Sequence, residues 1–166
     1  MYSARRRGTH PWARSISMRG LRQWAPAIAW AALIWVFSTA SFSASSTSRF
    51  ILPLLHWLLP QASPETLAML HGVIRKSAHF IEYFILSLLL LRGVRGQRGG
   101  WKLAWGLAAV FIAACYAVLD ELHQAFVPER TGSPLDSLLD TYGAAAAQLL
   151  AWAYALLRSR RAGTPA

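Results

Sequence analysis

Residues 101–121 read WKLAWGLAAVFIAACYAVLDE, and this stretch decides the fold class. No charged residue occurs between Lys102 and Asp120. A helix rises about 1.5 Å per residue and the apolar core of a bilayer is about 30 Å thick, so about 20 apolar residues are needed to cross it. The stretch is therefore predicted to form a transmembrane helix over 101–119 that meets carboxylates at one end.

Three further segments have the same apolar character and predict spans over about 24–42, 72–91 and 134–157. The 166-residue chain has 55% hydrophobic and 14% charged residues, whereas a soluble domain has roughly 25% charged residues. The eight Trp residues fit the same class, because Trp favours the interface between lipid and water. We therefore predict an all-α polytopic membrane protein of about four transmembrane helices, with the lipid bilayer as its partner.

The segment over 50–72, between the first two spans, begins with about ten apolar residues and contains Pro53 and Pro60. Its apolar part is too short to cross a bilayer, so it either lies at the interface or re-enters the membrane. Ser63 followed by Pro64 predicts a helix start with Ser63 as the N-cap. The sequence leaves open whether that helix continues into the second span or breaks at Gly72.

Basic residues are concentrated on one side of the predicted spans. Six Arg precede the first span, four Lys or Arg separate the second from the third, and three Arg follow the fourth. All seven acidic residues fall on the other side. The positive-inside rule then predicts both termini in the cytoplasm. The predicted organisation is a basic cytoplasmic segment over 1–22, a membrane domain over 23–157 and a basic cytoplasmic tail over 158–166.

Two alternatives concern the positive charge and the N-terminus. The net charge of +10 raises the possibility of a nucleic-acid partner, but the charges form short clusters between apolar segments, so none is predicted. The basic start and first apolar stretch also resemble a cleavable signal peptide. That stretch is long and contains Trp30 and Trp35, which favours an uncleaved helix.

Polar residues gather in the outer halves of three predicted spans. At 100° per residue, Lys76, His79 and Tyr83 lie within about 60° of one another on the second span, with Glu82 about 60° further round. Ionisable groups in a membrane are costly, about 2.5–3.5 kcal/mol for Asp, Lys or Arg at mid-helix, so such a cluster indicates a site. The ten candidate site residues are Lys76, His79, Glu82, Tyr83, Asp120, Glu121, Gln124, Arg130, Asp136 and Asp140.

The residue types suggest roles. Lys76 and Arg130 suit a phosphate or carboxylate, and the candidate catalytic residues His79, Glu82 and Asp120 can move protons. Asp136 has a structural alternative as a helix cap, and Gly143 with Ala147 forms a small-residue stripe that allows close helix packing. No P-loop or dinucleotide signature occurs, so no cofactor is predicted.

Five residues of these segments are possible metal ligands: His79, Glu82, Asp120, Glu121 and His123. Their spacing matches no compact zinc motif. Lys76 on the same helix would also repel a cation. The sequence therefore predicts no metal.

Two blocks of the sequence resemble the VanZ-like family of small bacterial membrane proteins. The first block is KSAHFIEYF over 76–84, and the second is DELHQAFVPER over 120–130, followed by Asp136 and Gly143. Two positions depart from the family pattern. Asp140 stands where the family usually has Asn, and Ala147 stands where it often has a second Gly.

The resemblance implies a multi-pass protein of the bacterial cytoplasmic membrane with a cell-envelope role and lowered susceptibility to glycopeptide antibiotics such as teicoplanin. Combined with the polar cluster, it leads to the hypothesis of an outer-face site for an anionic lipid or a lipid-linked wall precursor. Alternatives stay open: an enzyme that modifies a lipid head group, a protein whose polar residues only pack its helices, or a transporter. An oligomer is compatible with each of these functions.

Overall fold

The computed structural model describes residues 18–163, and in that range the chain forms five α-helices and one short 3-10 turn. No strand occurs among these residues, so the all-α class is confirmed. The predicted basic segments at the two ends lie partly outside the described residues. The elements are α1 (Met18–Phe37), the 3-10 turn (Ala40–Phe42), α2 (Ala44–Leu58), α3 (Pro64–Arg95), α4 (Leu103–Ala125) and α5 (Pro134–Ala162).

Helix α3 begins where the sequence predicts and runs further than the predicted span. The Ser63 hydroxyl accepts a hydrogen bond from the Thr66 backbone N–H, so Ser63 is the N-cap. The helix continues through Gly72 without a break, which answers the question that the sequence left open. It stops at Gly96, whose positive φ of 64° favours glycine.

Helix α4 also extends beyond the predicted end of its span, from residue 119 to Ala125. Asp120, Glu121 and Gln124 therefore lie on its last turns instead of following it. All three side chains are buried and hydrogen-bonded to neighbouring elements, so their polarity does not end the helix.

Helices α1 and α2 meet at a sharp bend. The two axes differ by 75° across a break of a few residues, which describes either a broken span or a re-entrant loop. Pro53 lies inside α2, so the apolar segment after residue 50 continues as a helix through this proline. The Ser43 hydroxyl caps the start of α2 by accepting from the Ser46 N–H.

Two helices, α3 and α4, are long and apolar enough to cross a membrane, and the bent pair of α1 and α2 makes a third if it counts as one span. These findings support a polytopic membrane protein. Four spans remain a prediction, because α5 is not among the helices that are apolar enough to cross a membrane by themselves. It carries Asp136 and Asp140 in its first turns and Arg158, Arg160 and Arg161 in its last.

The helices form a bundle in which α5 packs parallel to α3 and also contacts α4, and α1 packs against α3. The contact is tight at Gly143, where an added Cβ would collide with the Phe80 carbonyl oxygen. At one end of the bundle, Trp24 of α1 packs on Gly93 of α3, close to the basic α3–α4 loop. The candidate polar residues lie at the other end.

Candidate functional site

A cavity of about 220 Å³ opens between α2, the first two-thirds of α3 and the end of α1. Its apolar wall includes Phe42 from the 3-10 turn and Ile51 from α2. Polar and apolar groups thus line one space, as an amphiphilic ligand requires. The polar side chains that line the cavity are Ser38, Thr47, Arg75, His79, Glu82 and Arg130.

One stripe of α3 supplies three of these polar groups. Arg75, His79 and Glu82 are spaced i, i+4 and i+7, which places them on the same helix face. Arg75 donates from Nη1 to the Phe42 carbonyl oxygen at 3.0 Å and to Thr47 Oγ1 at 3.2 Å. Arg75 was not among the predicted site residues, although its helical spacing from His79 could have identified it.

Arg130 ties the α4–α5 loop to the end of α1. Its Nη2 donates to the Phe37 carbonyl oxygen and its Nε donates to the Thr39 carbonyl oxygen at 3.3 Å. These carbonyls follow the last turn of α1, where the helix leaves acceptors unpaired and where positive charge is favourable. Burial lowers the pKa of the Arg130 guanidinium, while the carboxylate of Asp120 acts in the opposite direction. An arginine nevertheless keeps its charge.

Two adjacent carboxylates of α4 are held by different partners. Asp120 is fully buried and accepts from Ser38 Oγ at 2.5 Å and from Gln124 Nε2 at 3.0 Å. Glu121 Oε2 accepts from the Ser133 backbone N–H at 2.6 Å, which joins α4 to the start of α5. The pair therefore connects α1, α4 and α5 at the polar end of the bundle.

Asp140 of α5 faces His79 of α3 in the core. His79 Nδ1 lies 3.5 Å from Asp140 Oδ1, and the Asp140 side chain is fully buried. Within the described part of the chain, neither Asp140 oxygen has a hydrogen-bond partner, and neither does the buried Tyr83 hydroxyl. This region contrasts with Asp120, whose two oxygens are both bonded.

Lys76 and Asp136 form a separate pair outside the cavity. Lys76 Nζ lies 2.6 Å from Asp136 Oδ1, and the Lys76 side chain is 62% exposed. The structure therefore does not bring Lys76 beside Arg130, because Lys76 faces α5 instead. No side-chain cap bond forms at the start of α5, and the Asp136 carboxylate bonds to Lys76, so the structure does not show the alternative of Asp136 as a helix cap. His123 stacks on Trp35, with ring centroids 4.0 Å apart.

The arrangement combines two guanidinium groups, an imidazole and a carboxylate around one amphiphilic cavity. Guanidinium groups match the oxygens of phosphate, and His79 with Glu82 can accept or donate protons next to a bound ligand. Tyr83 and Asp120 lie behind this layer in the core, since both are fully buried.

The comparisons with known proteins place the chain in a family. No curated protein and no solved structure matches it. The family model described as VanZ/LLP1 matches residues 23–158, which include both sequence blocks and nearly all of the five helices. Because this match covers most of the chain, the protein belongs to the VanZ/LLP1 family.

Proposed function

We propose that this VanZ/LLP1 protein binds the phosphate group of an anionic lipid, or of a lipid-linked wall precursor, in the cavity between α2 and α3. In this proposal the chain crosses the bacterial cytoplasmic membrane four times, with both termini in the cytoplasm. The cavity then opens toward the outer face of the cell envelope. The basic clusters at the opposite end of the bundle support this orientation.

The observation that carries the proposal is the position of Arg75 and Arg130 in one cavity with an apolar wall. A guanidinium has five N–H donors, and the two bonds of Arg75 to Phe42 and Thr47 both use Nη1. Its remaining donors suit a phosphate, while Ile51 and Ile74 suit the first part of a hydrocarbon chain. Arg75 thus takes the role that the sequence assigned to Lys76.

The proposed link to antibiotics follows from the same ligand. A protein that binds a lipid-linked wall precursor at the outer face would compete with a glycopeptide for that precursor. Cells that produce the native chain are expected to show lower susceptibility to teicoplanin than cells that produce Arg75→Gln. Equal susceptibility at equal membrane abundance would remove this part of the proposal.

Binding is tested with the purified chain in nanodiscs of phosphatidylcholine that contain either phosphatidylglycerol or undecaprenyl phosphate. A hydrogen bond to a charged group contributes about 1.5–3 kcal/mol, so Arg75→Gln should weaken retention of the anionic lipid by about 10- to 100-fold in native mass spectrometry. Arg49→Gln is the matched control, because Arg49 is an exposed arginine of α2 outside the cavity lining. Equal losses in both variants would show that general surface charge, not the cavity, retains the lipid.

The second candidate function is enzymatic modification of the same head group, favoured by the position of His79 and Glu82 in the cavity lining. Glu82 would act as general base, with His79 as its acid–base partner. Lipid and wall-precursor mass spectrometry would compare cells that express the native chain or Glu82→Gln at matched abundance. A species that changes only with the native chain indicates catalysis, whereas identical profiles favour binding alone.

A further inference from the structure

Three side chains of the kinds that bind metals meet beneath the cavity. His79 of α3, Glu121 of α4 and Asp140 of α5 each offer one ligand atom, and these atoms all lie within 4.8 Å of one another. They come from three different helices and have no compact spacing along the chain. The cluster is therefore formed by the packing of the three helices.

The hydrogen bonding of these groups is incomplete. Asp140 is 0% exposed, and neither of its oxygens has a hydrogen-bond partner among the described residues. His79 Nδ1 is also buried without such a partner, although it lies 3.5 Å from Asp140 Oδ1. A buried carboxylate without a hydrogen-bond partner is unfavourable, and binding a cation is one of the ways in which proteins compensate for the lost hydration.

We propose that His79, Glu121 and Asp140 bind a divalent transition-metal ion. One imidazole and two carboxylates suit Zn²⁺ or Mn²⁺, whereas Ca²⁺ and Mg²⁺ prefer oxygen ligands alone. Ligands at about 2.0–2.2 Å from a tetrahedral Zn²⁺ are about 3.3–3.6 Å apart, so the widest pair of these atoms would have to close by at most about 1.5 Å, which side-chain rotation can supply.

The surroundings also suit a cation. Glu121 Oε2 accepts from the Ser133 N–H at 2.6 Å and Oε1 lies 3.5 Å from Gln124 Nε2, so the carboxylate is held in one orientation beside the proposed ion. Lys76, the cation that argued against a metal in the sequence, bonds to Asp136 instead. Because His79 also lines the cavity, the ion would lie at the cavity floor.

The main rival is a shared proton. If Asp140 were protonated, it could donate to His79 or to Glu121, and the three groups would need no ion. The two explanations differ in one measurable property, the binding of metal by the isolated protein. This measurement uses no lipid, so its outcome is independent of the lipid-binding proposal.

The test uses the full chain in detergent, stripped with a chelator and then titrated with Zn²⁺, with Mn²⁺ in parallel. Elemental analysis should find about one ion per chain, and the ion should raise the unfolding temperature, since a ligand of the native state stabilises it. Asp140→Asn and His79→Gln should each weaken the affinity at least about 10-fold. Glu65→Gln, which removes an exposed carboxylate at the start of α3, should bind as the native chain does.

Two results would overturn the proposal. The first is a native chain that binds neither metal stoichiometrically and shows no change in unfolding temperature, which would favour the shared proton. The second is an equal affinity for metal in the native chain and in His79→Gln, which would place the ion elsewhere. His79→Gln also keeps the test decisive if Asp140→Asn fails to fold.

Discussion

At the scale of single residues, two buried aspartates of the bundle differ in their hydrogen-bond partners. Asp120 accepts bonds from Ser38 and Gln124, so its charge is compensated by donors from α1 and α4. Asp140 has no such donors among the described residues and faces His79 instead. The bonds of Asp120 are typical of a structural carboxylate. The incomplete bonding of Asp140 is typical of a group that binds a ligand or a proton.

Ser38→Ala tests the structural role of Asp120. The substitution removes a 2.5 Å bond from a fully buried carboxylate and leaves one oxygen unpaired. Bonds to charged groups are strong in water-soluble proteins but weaker on average in membrane bundles, so we expect a loss of about 1–2 kcal/mol of unfolding free energy. Thermal unfolding in detergent measures it. Ser41→Ala, at an exposed position of the 3-10 turn, should leave the unfolding temperature unchanged.

At the scale of elements, the contact between α3 and α5 depends on small residues. Gly143, Ala144 and Ala147 of α5 are buried, and no room remains for a side chain between Gly143 and the Phe80 carbonyl. Such close backbone approach is how helices associate in a membrane, where apolar side chains gain little by leaving lipid. The same contact sets His79 against Asp140.

A pair of glycine substitutions separates this packing from general helix propensity. Gly143→Ala should destabilise the bundle by about 1–3 kcal/mol, because the added methyl group collides with backbone. Gly72→Ala, in α3, meets nothing within 4 Å and should be neutral or stabilising by about 0.4–1 kcal/mol. Unfolding temperatures of the two variants in detergent give the comparison. If both variants changed the unfolding temperature in the same direction, the close contact with Phe80 would not explain the effect of Gly143→Ala.

At the scale of the whole molecule, the two ends of the bundle differ in chemistry. One end has a pocket lined by Arg95 and Arg158, and the other has the buried carboxylates, His79 and Arg130. The basic end fits a cytoplasmic surface, because positively charged loops stay on that side during insertion. In the proposed orientation, the polar end faces the outside of the cell.

Cysteine labelling tests this orientation and the number of spans. In a Cys115→Ala background, Gln61→Cys should react with a membrane-impermeant maleimide in intact cells. Gln97→Cys and Gly163→Cys should react only after permeabilisation, since both are predicted to be cytoplasmic. Labelling of Gly163→Cys but not Gln97→Cys in intact cells would mean that α5 does not cross, and the count would fall to three spans.

Local properties of the sequence determined much of this protein. The apolar lengths of α3 and α4, the Ser63 cap and the small residues around Gly143 follow from composition and short-range spacing, which act within one helix. The VanZ-like resemblance was also readable directly, and the family match confirms it. Of the polar side chains that line the cavity, His79, Glu82 and Arg130 were among the predicted site residues, because charged groups in apolar helices are conspicuous, whereas Ser38, Thr47 and Arg75 were not.

Only the tertiary structure decided how these residues combine. Two adjacent positions of α3 face different neighbours, so Arg75 lines the cavity while Lys76 pairs with Asp136. Arg130 bonds to the end of α1, some 90 residues away along the chain. The trio of His79, Glu121 and Asp140 forms because three helices rotate those faces inward. Helix rotation depends on packing between distant segments, which the local pattern of a sequence does not specify.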